Sequence, residues 1–124
     1  MIWSDVLCME AEYQIADSPI ITALSPGKYC ISILGGKSLI LNNFRVLLAY
    51  AGSKDKLPVN EYKWKTRTAD GICCFHFEIA EHAEYEMIFR NPEELAVKKS
   101  LLPFMRFFQS DIPLKEIRIR VEKR

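Results

Sequence analysis

The chain has 124 residues, a length that suits one domain, and 49% of them are hydrophobic. That share excludes a disordered chain and supplies one sizeable core. Its 17 Lys and Arg against 16 Asp and Glu leave a formal net charge of +1, so the molecule as a whole is no electrostatic magnet for nucleic acid or acidic membranes.

No basic stretch followed by a long apolar run opens the sequence, so no signal peptide is expected. Apolar runs such as residues 46–51 fall far short of a bilayer span, and no transmembrane segment is expected. Residues 2–8 read as a first strand or lead-in. Residues 12–15 give a second short alternation, broken by Asp17, Ser18 and Pro19. Ser25, Pro26 and Gly27 turn the chain into a strand over residues 28–34, with Tyr29, Ile31 and Ile33 on one face and Cys30 and Ser32 on the other. Gly35 and Gly36 end it. A short strand over residues 39–41 precedes Asn42 and Asn43. Residues 44–50 then place Phe44, Val46, Leu48 and Tyr50 on one face.

After a polar loop, residues 62–67 alternate Tyr62, Trp64 and Thr66 with Lys63, Lys65 and Arg67. That pattern predicts a strand with Trp64 in the core and the cations wet, as edge charges that discourage aggregation. Asp70 and Gly71 suit a hairpin turn. Residues 73–92 read as a second hairpin: Phe75, Phe77 and Ile79 alternate with His76 and Glu78, and Tyr85, Met87 and Phe89 with Glu84, Glu86 and Arg90. Asn91, Pro92, Glu93 and Glu94 resemble a helix start, and Pro103 keeps any helix short. Ile117, Ile119 and Val121 alternate with Arg118, Arg120 and Glu122 in a closing strand. About eight short strands and at most one short helix predict an all-β class, an antiparallel β-sandwich forming a single domain over residues 1–124.

Few groupings point to chemistry. Alternation would put Cys74, His76 and Glu78 on one strand face, yet no second Cys/His pair has ligand spacing, and no metal or other cofactor is expected. Cys74 and His76 stand about two residues' rise apart, long for direct proton transfer. Gly35, Gly36, Lys37 and Ser38 lack the earlier glycine of a phosphate loop. No catalytic residue is assigned and no enzyme is expected. Cys30 reads as a small buried hydrophobe, and a bond between adjacent Cys73 and Cys74 would close a strained ring. Reduced thiols and a cytoplasmic setting are expected, with a bridge from Cys8 left open.

The segment that stands out is residues 98–108. Lys98, Lys99 and Arg106 accompany Phe104, Met105, Phe107 and Phe108, residue types favoured at protein contacts, although the same segment would serve as a strand or lid buried under the sandwich. These seven residues are the expected partner-binding site. From Arg90 to Arg124 nine Lys or Arg oppose five Asp or Glu, an excess that a solvated face also carries.

Three phrases resemble β-sandwich modules of the GOLD type: Pro26, Gly27, Lys28 and Tyr29 turning into a strand; Phe75 to Ile79; and Tyr85 through Phe89, Arg90 and Asn91. The resemblance implies a small, non-enzymatic interaction domain linked to membrane traffic or lipid-binding proteins. Immunoglobulin-like sandwiches are similar nearly as well, since Cys30, Trp64 and Cys74 occur in that order. The expected function is a non-catalytic interaction module that binds a protein partner or itself, with no nucleic acid expected. The alternative is a small-ligand or lipid-binding sandwich or barrel.

Overall fold

Strands that alternate apolar and polar side chains bury one face by stacking in layers, and this chain does so with antiparallel pairs throughout. The computed structural model describes residues 10–36, 38–67, 71–98 and 112–123. Their strands are β1 (Glu10–Gln14), β2 (Ile20–Leu24), β3 (Gly27–Leu34), β4 (Ser38–Ile40), β5 (Arg45–Tyr50), β6 (Lys56–Leu57), β7 (Asn60–Arg67), β8 (Gly71–Ile79), β9 (Ala83–Arg90), β10 (Ala96–Lys98) and β11 (Arg118–Lys123). A five-stranded sheet runs β1-β11-β3-β8-β7, a four-stranded sheet runs β2-β9-β5-β6, and β4 pairs with β10 apart from both. The all-β class holds, as several sheets rather than one clean sandwich.

The inward residues are those that the alternation selects. Tyr29, Ile31 and Ile33 of β3, Phe75, Phe77 and Ile79 of β8, Tyr85, Met87 and Phe89 of β9, and Ile119 and Val121 of β11 belong to one buried cluster. Phe44, leading into β5, joins the two large sheets. Its ring lies 6.1 Å from Phe75 in one and 6.2 Å from Phe89 in the other, both tilted, the geometry that aromatic quadrupoles prefer.

Four expectations change. First, β8 and β9 are not a hairpin. They belong to different sheets, so the link between Ile79 and Ala83 crosses from one layer to the other. In it the Tyr85 hydroxyl donates to the Glu81 carbonyl at 2.7 Å and the Tyr50 hydroxyl to the Glu81 carboxylate at 2.7 Å. Second, Pro92–Glu94 is a single 3-10 turn, and among the described residues there is no α-helix. Asn91 enters it at φ 55° with no capping bond of its own; its amide donates to the Asn43 carbonyl at 3.1 Å, which ties the turn to the approach to β5.

Third, Cys30 is not a free hydrophobe. It forms a disulfide with Cys73 on the neighbouring strand, while Cys74 stays free and buried. The expectation of reduced thiols fails for this pair. Fourth, Trp64 is 80% exposed and not core.

From Cys30 to Leu34 both faces of the β3–β8 pair are buried, since Cys30, Ser32 and Leu34 are as enclosed as the core-facing residues between them; at the other end Lys28 and Glu78 are exposed. Gly71 begins β8 where a Cβ would overlap the Ile33 carbonyl oxygen, so only glycine lets the two strands approach there.

Removing a ring that packs against Phe44 between the layers is expected to leave a cavity in a densely packed core. Phe75→Ala should lower stability by about 3–5 kcal/mol in urea unfolding, against less than about 0.5 kcal/mol for the exposed Ile21→Ala. Peptide mapping without reductant should recover the Cys30 peptide joined to the peptide carrying Cys73, and separate peptides after reduction.

Candidate functional site: the bulged β7 edge

One extra residue in β8 shapes the surface beside it. Against β3, Ile31 pairs with Phe75 and Ser32 with Cys73, so Cys74 has no partner position of its own. Such a bulge lets two successive side chains share a face. Phe75 and Cys74 both join the core, whereas Cys73 turns outward to Cys30. The predicted face shared by Cys74, His76 and Glu78 is therefore split: Cys74 is buried, His76 half-buried and Glu78 exposed. Among the described residues no group of His, Cys, Asp and Glu is arranged to hold a metal.

The same residue disturbs the other side of β8. Glu61 of β7 pairs with Phe75, and the next paired residue is Thr66, opposite Cys73. Four residues, 62–65, therefore stand across from Cys74 alone and leave the ladder as a knuckle on the sheet edge. The knuckle carries Trp64, with the Lys63 ammonium 5.9 Å from its ring centre. Lys65 donates to the Glu61 carboxylate at 2.8 Å, and Arg45 of the other large sheet reaches the same carboxylate at 3.7 Å. These pairs are solvent-exposed and are worth well under about 1 kcal/mol each; their effect is to orient the knuckle. Lys63, Lys65 and Arg67 are three cations on and beside it, with the Glu61 carboxylate among them.

Tyr62 folds back over the sheet. Its ring centre lies 4.4 Å from that of His76. Beside this pair an open cleft of about 330 Å³ is lined by Lys28, Asn60, Tyr62, His76 and Glu78 together with Tyr29 and Phe77. Alternation had put His76 and Glu78 opposite the core face, but only the pairing register brings them together with Lys28 and Asn60. The sequence signal that pointed here was the aromatic-basic run at residues 62–67; its cations are exposed as expected, but Trp64 and Thr66 are exposed as well.

The seven residues expected to bind a partner are placed as follows. Lys98 is half-buried in β10, where it pairs with β4. Lys99, Phe104, Met105, Arg106, Phe107 and Phe108 lie outside the described residues, as does Cys8. Among the described residues no helix is long and apolar enough to cross a membrane.

Comparison with protein-family models, with curated proteins and with solved structures finds no match to this chain.

The chemistry of Cys74 follows from its place. Burial is the chief cause that pushes its thiol from an ordinary 9.0 up to about 12, opposed in part by the nearby Lys65. At neutral pH it is a protonated, enclosed thiol, the opposite of an activated nucleophile. It should resist iodoacetamide in the folded protein and react once denatured. The unfolded thiol ionises first, so the stability difference between wild type and Cys74→Ala should be constant below pH 9.0 and shift against wild type as pH rises from there toward about 12, read by denaturant melts at each pH.

Proposed function

We propose that this chain is a non-catalytic β-sandwich interaction module that docks a protein, a second copy of itself included, through the β7 knuckle. The observation that supports this reading is Trp64, 80% exposed on a segment that the strand pairing pushes out of the sheet. Tryptophan is enriched among the residues that dominate protein contacts, because it buries much apolar area for few rotatable bonds. The ladder on both sides of the knuckle holds its ends, at Glu61 and at Thr66, so little order has to be created on docking. The cations around Trp64 favour an acidic partner surface and would speed encounter.

An aromatic residue among cations also suits single-stranded nucleic acid, and Trp64, expected in the core, is exposed among them. The protein reading is preferred because Glu61 sits within the cation group, held by Lys65 and Arg45, and would repel a phosphate backbone. The enclosed, protonated Cys74 is no activated nucleophile, which fits a non-catalytic reading.

The test couples two measurements. Trp64 is replaced by a photo-crosslinking phenylalanine, and so, separately, is Ile21 on the four-stranded sheet. Ultraviolet exposure in cells should give a discrete protein adduct from position 64, lost on adding Lys63→Glu, and none from position 21. Sedimentation at two concentrations, with and without Trp64→Ala, identifies the adduct as a second copy or another protein. Adducts from both positions alike, or single-stranded DNA binding that Trp64→Ala abolishes, would reject the protein reading.

A further inference from the structure

We propose that the seam where β1 faces β2 is a binding site for a small organic oxyanion, a carboxylate or phosphate ester carrying a short apolar body. This site lies apart from the β7 knuckle and does not depend on how that edge is used.

The seam exists because the chain changes sheets there. β1 is the edge of the five-stranded sheet, β2 the edge of the four-stranded one, and Ile15–Asp17 turns between them. Between the two edges is an open cleft of about 210 Å³. That is smaller than the roughly 300 Å³ at which pockets for drug-sized ligands begin, so the occupant is small. Ala11, Leu24 and Val121 provide apolar wall, and Tyr13, Thr22 and Ser25 provide hydroxyls. The Tyr13 hydroxyl donates to Thr22 Oγ1 at 3.2 Å, which links one sheet to the other across the floor of the seam.

A positive charge stands next to this cleft, on a lysine bonded to the lining residue Ser25. Lys123 follows Ile119 and Val121 at the inward-facing alternation of β11, and its ammonium donates to Ser25 Oγ at 3.2 Å. Its side chain lies across Gly27, where φ is 150° and any Cβ would overlap Lys123 Cε. Glycine at this position therefore does two things: it permits the backbone conformation and it leaves the track along which the lysine runs. Ser25 is held in turn by Tyr29, whose hydroxyl donates to the Ser25 carbonyl at 2.8 Å and accepts from the Ser25 N–H at 3.2 Å. The ammonium is thus positioned against a fixed hydroxyl and is not a loose surface charge.

Among the described residues no carboxylate lines the cleft, whereas His82 does. Three carboxylates on the elements around it have partners of their own. Glu12 reaches Arg118 and Arg120 at 3.9 and 3.6 Å, Glu81 accepts from Tyr50 and Asp17 accepts from the Gln14 N–H at 3.1 Å. An oxyanion at the Ser25 end would receive charge-assisted hydrogen bonds, and its apolar body would cover the Ala11, Leu24 and Val121 wall.

The experiment titrates isotope-labelled full-length protein with sodium benzoate, phenyl phosphate and the neutral benzyl alcohol, followed by amide chemical shifts. Saturable shifts confined to residues around Tyr13, residues 22–25 and Val121 are expected. At least one anion should bind about tenfold or more tighter than the alcohol, and which anion wins separates carboxylate from phosphate. Lys123→Met should erase that preference, and Lys123→Arg should keep it. Shifts that do not saturate, shifts spread over the surface, or a preference that survives Lys123→Met would each overturn the proposal.

Discussion

The pairing of β3 with β8 is the constraint on which the other features rest. It lies inside the five-stranded sheet, is enclosed on both faces around its bulge, and contains one residue too many. Cys74 is that residue. Because side chains alternate with a period of two, one insertion reverses the facing of everything beyond it. Phe75, Phe77 and Ile79 face the second layer only because Cys74 takes up the phase change. Ile72, on the other side of the insertion, pairs with Ile33 and faces the same core. The inward placement of Phe75 brings it to Phe44, and through Phe44 to Phe89, so the register of one pair of strands also sets how the layers meet.

The knuckle is the outer counterpart of this insertion. β7 follows β8 at Glu61 and again at Thr66, and what lies between has no ladder to follow. A protruding, charged edge also protects the sheet from pairing with foreign strands, a benefit independent of any partner. The exposed indole is what that protective role leaves unexplained. Lysines alone would guard the edge, and a tryptophan in water adds apolar area that a purely defensive edge would omit.

How much of this was legible in the sequence varies by residue. The inward set in β3, β5, β9 and β11 was readable because a period of two over five or more residues needs no knowledge of neighbours. Trp64 was misread for the same reason. Its run alternates cleanly, but alternation assigns a face only while the strand stays in its ladder, and residues 62–65 have left it. The partnership of Cys30 with Cys73 and the split between Cys74 and His76 depend on a bulge that the apolar run through Cys73, Cys74 and Phe75 conceals. The β8–β9 link shows another limit. A short polar connection between two amphipathic strands is compatible with a hairpin or with an arch between layers, and local pattern does not separate them. The cleft at Lys28, Asn60 and His76, like the seam at Tyr13 and Lys123, is assembled from residues far apart in the chain, so only register reveals it.

The position of β11 has a consequence for how the molecule is made. It lies between β1 and β3, bonded to both, yet it is the latest of the described strands to leave the ribosome. Until it is released, a nascent chain holds two unsatisfied strand borders and an uncovered oily layer where Ile119 and Val121 will sit. The polypeptide must therefore wait for its late-synthesised residues before its largest sheet can zip shut, and throughout translation that gap is where a chaperone would find something to hold.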